Sequence, residues 1–447
     1  MSLTIHGYKI SKNTVPNLNH LKGVLTVKPY IPSVFVKPQY VQRYPVYKES
    51  EDAIYVPKHY GIQEYGPYSS TTRDVPQTDA KYWEFAGSIR EAQRPVVNSF
   101  LLPEPHDGVI SLQTGGGKTV CGLYIASQLR LPTLVLVHSG FLKDQWVERI
   151  SAFLPNARIG TIQGDVFDIE NKDIVVGMLQ SIALKEHPPN HFKQFGLVIV
   201  DECHHIASEG FSQAIPKLTS KYMLGLSATP ERKDRLTHMI HWFLGPLLYV
   251  SNKNDKLDDK VKVEVVEYEP NNDQYNEIIY NNAGVMFTTL MINKVAEYEP
   301  RNKMLVELIE DVFAEEDRHI LVLSDRVDHV KKLFDMLSPE IKEQAGILSR
   351  GMKPAVRDDF CAKKRILIAT YQLCKEGFDV PKLNTLVMAT PRPDVEQIVG
   401  RILRVEKEKR HVHPIILDIV DPAFRRQFQE RLSLYKKRSY QVEKIVI

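Results

Sequence analysis

Short apolar stretches alternate with amphipathic stretches through much of the chain, and this alternation limits the possible folds more than any other feature. Between residues 107 and 249 the strand-like stretches read VISL, TLVLV, DIVVGM, LVIVDE and YMLGLSA. Residues 119–129 and 141–153 carry apolar side chains at helical spacing instead. Strands that alternate with helices pair in parallel, because each helix returns the chain to the same end of the sheet. We therefore predict a parallel-sheet α/β lobe over residues 81–250.

The same alternation returns after Pro300. The strand-like stretches there read HILVLS, RILIAT, TLVMAT and PIILDIV, and helical patterns separate them. This predicts a second parallel α/β lobe over residues 301–447, with a cleft between the two lobes.

The remaining parts of the chain have a different character. Residues 1–80 combine short apolar runs with many tyrosines and prolines, which predicts a small β-rich N-terminal accessory domain. Residues 251–300 contain a stretch rich in lysine and aspartate, the alternating run VKVEVVEYE and a polar helical pattern. We predict a linker or an insertion over residues 251–300.

Composition excludes several classes of protein. The 58 Lys and Arg residues nearly balance the 55 Asp and Glu residues, so the net charge of +3 does not identify a polyanionic partner. The four cysteines form no CxxC pair and no ligand spacing with histidines, which argues against a disulfide framework and a structural zinc site. The apolar runs have strand length, whereas a membrane span requires about 18 residues or more. We expect a soluble cytoplasmic protein with no membrane partner.

The sequence QTGGGKT at 113–119 follows a predicted strand and opens a predicted helix, as a phosphate-binding loop does. Glycines let successive backbone N–H groups point at one phosphate, and the helix N-terminus adds partial positive charge. Lys118 would hold the β- and γ-phosphates, and Thr119 would offer a hydroxyl to Mg²⁺. The complete motif has glycine where this chain has Leu112, so the match is to G-x-G-K-T alone.

The second signal is acidic: Asp201 and Glu202 directly follow the apolar run 196–200. Carboxylates at the carboxyl end of a parallel strand lie beside the loop of a neighbouring strand, where α/β sheets bind ligands. Asp201 can then hold Mg²⁺, and Glu202 can orient and deprotonate the attacking water. Together with the Lys118 loop, this pair predicts hydrolysis of a nucleoside triphosphate.

Two further signals lie outside the first lobe's strands. Arg401 and Arg404 are three residues apart in the second lobe, so both can project from one helical face or turn and stabilise charge on a transferred phosphoryl group. A surface helix with ion pairs is the alternative for these arginines. Upstream of the first predicted strand, Gln93 offers a donor and an acceptor that can read an adenine edge.

Read in order, Gln93, TGGGKT, VLVHSGFLKDQW, DECH, GLSATPERKDR, IATYQLCKEGFDVP and QIVGRILR resemble the motifs of a superfamily 2 helicase core. The resemblance covers roughly residues 85–447. The SATP sequence followed by Arg232 and Asp234, together with QxxGRxxR, is similar to the XPB and UvsW-like group, which acts on branched or duplex DNA. The short N-terminal domain resembles that of phage and large DNA-virus members.

The resemblance implies an α/β fold with two RecA-like parallel-sheet lobes in tandem and the small β-rich N-terminal domain. It implies a DNA-dependent ATP hydrolase, with ATP and Mg²⁺, that unwinds forks or migrates branches in replication, recombination or repair. The implied partner is DNA, contacted through its phosphate backbone without sequence specificity, with RNA as the lesser alternative. A monomer, located in the host cell if the source is viral or phage, is expected.

The family's motifs also assign roles to individual residues. The implied nucleotide contacts are Arg90, Gln93, Thr114, Gly115, Gly116, Gly117, Lys118, Thr119, Gly377, Asp379 and Gln397. The implied catalytic residues are Lys118, Glu202, Arg401 and Arg404, with Thr119 and Asp201 as the Mg²⁺ ligands. Ser227 and Thr229 are implied to couple nucleotide state to strand grip. The implied nucleic-acid contacts are His138, Ser139, Gly140, Gln180, Ser181 and Thr370.

Some alternatives stay open at the level of sequence. The motif DECH has His204 where the DEAD-box RNA group has aspartate, which weakens a simple RNA-unwinding interpretation. A duplex translocase that assists transcript release or removes proteins without separating strands is one alternative, and a catalytically silent nucleic-acid-binding scaffold is another. Tyr275, Tyr280 and Phe287 are candidates for a strand-separating wedge, with packing of a helix core as the alternative.

Overall fold

The computed structural model describes residues 1–31, 40–113, 115–185, 187–212, 214–232, 234–251, 258–282, 284–349, 352, 354–375, 380–405 and 407–446. The chain divides into two compact units, Met1–Ser251 and Asn252–Ile447. Within the described ranges, no helix is both long and apolar enough to cross a membrane.

The N-terminal part of the first unit is a small, mainly antiparallel sheet with two helices. Its strands are β1 (Ser2–Thr4), β2 (Gly7–Ser11), β3 (Thr26–Val27), β4 (Tyr44–Pro45), β5 (Lys48–Glu49), β6 (Ala53–Val56) and β7 (Ser70–Thr71). The strand order is β5-β6-β2-β1-β7, and β3 pairs with β4 separately. The helices are α1 (Leu18–Val24) and α2 (Lys58–Tyr65).

This N-terminal part shares its core with the sheet that follows it. Ile10 and Ile54 belong to the same buried cluster as Val198 and Val200 of the following sheet. Two buried cations reinforce the junction. The Lys58 ammonium lies 2.6 Å from an Asp107 carboxylate oxygen. The Arg73 guanidinium donates to the backbone carbonyls of Thr219, Lys193, Phe192 and Phe195 at 2.7–3.4 Å. The boundary predicted at residue 80 therefore does not coincide with the division between compact units.

The first unit also contains the predicted parallel sheet. Its strands are β8 (Gly108–Ser111), β9 (Thr133–Val137), β10 (Ile159–Gln163), β11 (Val166–Asp168), β12 (Ile174–Met178), β13 (Leu197–Asp201), β14 (Tyr222–Ser227) and β15 (Leu247–Val250). They lie in the order β11-β10-β12-β9-β13-β14-β8-β15, and all pairs are parallel except β10 with β11. The helices are α3 (Arg94–Leu101), α4 (Lys118–Leu129), α5 (Gly140–Phe153), α6 (Leu179–Leu184), α7 (Glu209–Ser212) and α8 (Thr237–Leu244).

The central strands are buried on both faces, which explains their nearly continuous apolar sequences. In β13, Val198 and Val200 point into the core shared with the N-terminal part, whereas Leu197 and Ile199 point into a second core beneath α3, α4 and α5. Full burial of such a side chain contributes about 1.5–3 kcal/mol. This burial aligns the carboxyl ends of β8, β13 and β14 at one edge of the sheet.

The second unit is a further parallel sheet covered by helices. Its strands are β16 (Lys262–Glu267), β17 (Ile320–Ser324), β18 (Ala345–Ile347), β19 (Ile366–Thr370), β20 (Thr385–Met388), β21 (Ile415–Val420) and β22 (Gln441–Val446), in the order β18-β19-β17-β20-β21-β16-β22. The helices are α9 (Asp273–Asn276), α10 (Thr288–Glu297), α11 (Glu299–Ala314), α12 (Val327–Met336), α13 (Pro339–Gln344), α14 (Pro354–Lys363), α15 (Tyr371–Lys375), α16 (Glu396–Val399) and α17 (Arg425–Lys437). The predicted fold class is confirmed.

One stretch has a larger structural role than its sequence indicates. Strand β16 lies within residues 251–300, which were predicted as a linker or insertion, yet it pairs in parallel with β21 on one side and β22 on the other. Val263 and Val265 point into one core of the second unit, and Val266 points into the other. Residues 262–267 are therefore an internal strand of the second sheet.

Candidate active site

The predicted phosphate loop lies between β8 and α4, at the carboxyl edge of the first sheet. Gly115 and Gly117 both have φ of +83°, a conformation that glycine adopts without strain. A Cβ atom on Gly117 would lie 2.1 Å from Nε2 of Gln93, so the Gln93 side chain can approach the loop this closely only because Gly117 has no side chain. Helix α4 begins at Lys118, and its first free N–H groups suit a phosphate. Thr114 lies outside the described residues.

Lys118 reaches Glu202, the residue directly after β13. The Lys118 Nζ atom lies 2.6 Å from Oε1 of Glu202, and the two side chains are 13% and 20% exposed. Strand β14 separates β8 from β13, so this contact spans the end of one strand. Burial raises the pKa of Glu202, but the Lys118 charge, its hydrogen bond to the carboxylate and the neighbouring His204 and His138 together outweigh burial and lower the pKa. The carboxylate is therefore charged, and it is a weak base while Lys118 holds it.

Asp201, the last residue of β13, is a buried carboxylate with two donors. Its Oδ2 accepts a hydrogen bond from Trp146 Nε1 at 2.8 Å, and its Oδ1 accepts one from the Glu202 N–H at 3.0 Å. Burial, followed by the Glu202 charge, raises the pKa of Asp201. Thr119, the second residue of α4, offers a hydroxyl from the adjoining loop. Carboxylate and hydroxyl oxygens are hard ligands, so this donor set fits Mg²⁺.

A hydrogen-bonded cluster connects Glu202 to the end of β14. The Ser227 hydroxyl donates to Glu202 Oε2 at 3.5 Å and accepts from the Thr229 N–H at 3.1 Å. Nδ1 of His204 lies 3.0 Å from the same hydroxyl. Arg232 donates to the carbonyl of His204. Short polar contacts therefore link Glu202 to the loop after β14.

The predicted adenine-contacting residues lie directly against the phosphate loop. Oε1 of Gln93 accepts from the Arg90 N–H at 2.9 Å, and Nε2 donates to the Gly116 carbonyl at 3.3 Å. Gln93 is buried and the Arg90 side chain is exposed. The Gln93 amide thus holds the upstream segment to the loop through both of its polar atoms.

The predicted nucleic-acid contacts of the first unit come together at the ends of β9 and β12. Gln180 Nε2 donates to the His138 carbonyl at 2.8 Å. The Ser139 hydroxyl caps helix α5, which begins at Gly140, by accepting the Leu142 N–H at 3.3 Å. The Ser181 hydroxyl accepts the Gly164 N–H at 3.0 Å. These residues follow the carboxyl ends of parallel strands, and they lie at the same edge of the sheet as Glu202.

The predicted second-unit residues cluster around α15 and α16. Gln397 lies in α16, which ends at Val399, so Arg401 and Arg404 follow the helix in a turn. The Arg401 guanidinium contacts the buried Cys374 thiol of α15. Thr370 ends β19, and its hydroxyl accepts the Leu373 N–H at 3.4 Å. Gly377 and Asp379 lie outside the described residues.

Sequence reasoning missed Trp146 as a contributor to the site, and it left His205 open between a hydrogen-bonded histidine at the strand end and a role in coupling the two lobes. Trp146 looks like one more apolar residue of a helix, although its indole orients Asp201. The His205 ring packs at a tilt against His138, with ring centroids 4.1 Å apart, and against His204 at 4.4 Å. Burial and the neighbouring His138 lower the pKa of His205 to about 3, so this ring is neutral. The two adjacent histidines after the acidic motif were the sequence signal for this cluster of rings.

Comparisons with known proteins identify the class to which this chain belongs. Residues 86–232 match the family described as type III restriction enzyme, res subunit. The chain is 31% identical over 461 residues to "Putative ATP-dependent RNA helicase L396" of Acanthamoeba polyphaga mimivirus, covering 100% of this chain and 87% of the relative. It is 28% identical over 380 residues to "Putative helicase 161L" of Invertebrate iridescent virus 6, covering 79% and 82%.

A solved structure adds the fold. The structure of S. cerevisiae Dbp5 bound to RNA and ADP BeF3 covers 79% of this chain and 89% of its own, with a TM-score of 0.55 at 16% identity. The chain therefore belongs to the superfamily 2 helicases and is an ATP-hydrolysing enzyme. Within that superfamily it groups with the helicases of large DNA viruses. The resemblance inferred from the motifs is confirmed.

Proposed function

We propose that this helicase uses ATP hydrolysis to move along and unwind branched or forked DNA, in replication, recombination or repair. The 2.6 Å contact between Lys118 Nζ and Glu202 Oε1 carries the proposal. It supports a site in which a phosphate-binding cation and a general base act on the same phosphoryl group.

We assign activation of the attacking water to Glu202. A bound triphosphate competes for Lys118, and loss of that partner raises the pKa of Glu202. The carboxylate then takes a proton from water while the water oxygen attacks the γ-phosphorus. The bond between that phosphorus and the bridging oxygen breaks, and ADP leaves with the electron pair of that bond.

Thr119 and Asp201 would hold Mg²⁺, which neutralises negative charge on the β- and γ-phosphate oxygens when bound. Asp201 is kept in position by Trp146, whose indole N–H leaves the second carboxylate oxygen for the ion or its water. We propose that Gln93 acts mainly by joining the adenine-contacting segment to the phosphate loop, with Arg90 beside it.

The second unit would complete catalysis. We propose that Arg401 and Arg404 stabilise charge on the transferred phosphoryl group, as arginine fingers do. Gln397, Gly377 and Asp379 are assigned to nucleotide contact on the motif resemblance alone. Because these residues belong to a different compact unit from Lys118, hydrolysis would depend on the closure of the two units.

Nucleic acid would be held by its phosphate backbone. Polar side chains and backbone N–H groups at strand ends suit phosphate oxygens, and His138, Ser139, Gly140, Gln180 and Ser181 lie at such ends. We propose that Thr370 has the same role in the second unit. Such contacts carry no sequence information, so binding should depend on nucleic-acid shape and weaken with added salt.

Unwinding of RNA is the second candidate, because the mimivirus relative is named an ATP-dependent RNA helicase. Matched forks of DNA and RNA, with the same sequence and arm lengths, separate the two candidates. We expect faster strand displacement on the DNA fork, ATP dependence, and no displacement by Glu202→Gln, which should still bind DNA. Exclusive displacement of the RNA fork would overturn the DNA assignment.

Duplex translocation without strand separation needs a separate assay. Displacement of a third strand from a DNA triplex reports translocation, and displacement of a fork arm reports unwinding. Triplex displacement with no fork unwinding would favour the translocase. If Lys118→Ala still hydrolysed ATP at the wild-type rate, the assigned site would be wrong.

A further inference from the structure

A segment of the second unit lacks charge in a way that nothing in the ATP site explains. Residues 278–293 contain no charged side chain, in a chain that is 25% charged. The backbone on the two sides of residue 283 pairs there as a short hairpin, which we call the aromatic hairpin (residues 279–282 and 284–287). The Asn281 N–H donates to the Val285 carbonyl and the Phe287 N–H to the Ile279 carbonyl, both at 2.8 Å.

The aromatic hairpin displays apolar side chains to solvent. Tyr280 is 59% exposed and Phe287 is 44% exposed, and Leu290 in the following helix is 40% exposed. Tyr275, another aromatic residue nearby, is buried instead and donates its hydroxyl hydrogen to Asp421 at 2.6 Å. Contiguous exposed apolar residues usually mark a binding surface.

The helix that follows the hairpin, α10, is anchored to the sheet edge that carries Thr370. Arg326 follows the end of β17, and its Nε donates to Asn293 Oδ1 at 2.5 Å in α10. Its Nη2 donates to the Thr289 carbonyl in the same helix at 3.1 Å. The last residue of β17, Ser324, pairs in register with Thr370 of β19. Helix α10, which directly follows the hairpin, is therefore held at the sheet edge that also carries the strand end assigned to nucleic-acid phosphate.

Cations flank the uncharged segment. The Lys294 ammonium donates to the Glu277 carbonyl at 2.7 Å and closes the base of the hairpin. The Arg326 guanidinium contacts α10 at Thr289 and Asn293. Aromatic rings combined with nearby cations suit single-stranded nucleic acid, because every base has a face that can stack while the backbone is negative.

We propose that the aromatic hairpin stacks on bases of single-stranded nucleic acid, through Tyr280 and Phe287, and holds the strands apart at a junction. This inference rests on the proposed function as a nucleic-acid motor. Stacking requires rings that are exposed and held in place, and the backbone hydrogen bonds of the hairpin provide that rigidity.

Tyr280→Trp tests stacking directly, because a tryptophan that stacks on a base loses fluorescence. The natural tryptophans all lie in the first unit, and two of them, Trp83 and Trp146, are buried. The probe is a thymidine oligonucleotide. We expect saturable quenching in Tyr280→Trp and none in the matched control Tyr40→Trp, whose parent tyrosine is 68% exposed outside the hairpin.

Strand separation gives the second readout. Tyr280→Ala combined with Phe287→Ala should slow fork unwinding about tenfold, with ATP hydrolysis still stimulated by the oligonucleotide. Tyr280→Phe keeps the ring and should unwind normally. Unquenched fluorescence with normal unwinding would overturn the inference and assign the surface to a protein partner. Failure of the wild type to show oligonucleotide-stimulated hydrolysis would overturn the proposed function itself.

Discussion

Replacing Gly117 with alanine tests how tightly the phosphate loop is held against the segment before it. Gly117 has φ of +83°, and a Cβ atom there would lie 2.1 Å from Gln93 Nε2. Alanine in this left-handed conformation costs about 1–2 kcal/mol. The clash also displaces Gln93 from its hydrogen bonds with Arg90 and Gly116, which together contribute about 2 kcal/mol. We expect Gly117→Ala to lower the unfolding free energy of the first unit by about 3–4 kcal/mol.

Gln93→Ala is the matched control. It removes the hydrogen bonds and the clash, so it should cost about 2 kcal/mol alone. In the double variant, Gly117→Ala should add only the backbone strain. The two changes together should therefore cost about 2 kcal/mol less than the sum of the two single changes. Urea unfolding followed by tryptophan fluorescence measures this, because Trp83, Trp146 and Trp242 all lie in the first unit. Strictly additive effects would refute the reasoning.

Two further predictions concern buried charge. Arg73→Met leaves four backbone carbonyls without their donor and should lower the unfolding free energy of the first unit by about 3 kcal/mol, whereas a loss under about 1 kcal/mol in urea unfolding would contradict the account. Asp201 has a pKa raised to about 6 by burial and by Glu202, so its stabilising contribution is present at low pH and disappears as pH rises through that value. The buried histidines, whose lowered pKa values act in the opposite direction over this range, are common to the wild type and Asp201→Asn. Without nucleotide or metal, the unfolding free energy of the wild type should therefore fall by about 1.5 kcal/mol relative to that of Asp201→Asn between about pH 4.5 and pH 6.

The parts of the fold that local patterns determine were predictable. Continuous apolar runs such as LVIVD are long enough for one buried strand, and their alternation with helices specifies a parallel sheet. The carboxyl ends of such strands meet at one edge, so Lys118, Asp201 and Glu202 could be expected near one another before any coordinates were known. The superfamily followed from the order of the motifs.

Features that depend on distant packing were not predictable. Lys58 and Arg73 read as surface cations, yet both are buried against the first sheet. The alternating run that forms β16 is typical of a strand with one face in solvent. In the structure, β16 lies between β21 and β22, which follow it by about 150 residues or more in the chain. No local pattern specifies such partners.

The same limit applies to the site and to the aromatic hairpin. Trp146 and Asp201 are 55 positions apart, and only the packing of α5 on β13 reveals their hydrogen bond. Tyr275 and Tyr280 look alike in sequence, but one is 5% exposed and the other 59%. Burial separates a core tyrosine from a surface one, and burial is a property of the assembled fold.

The central claim is that residues of both compact units act on one triphosphate. Phosphate release by Arg404→Ala, measured beside ATP affinity with nucleic acid present, tests it most directly. We expect unchanged ATP affinity and a turnover reduced about 10³-fold or more, as for loss of an arginine finger. Turnover at the wild-type rate would contradict it, because the second unit would then contribute no charge to the reaction.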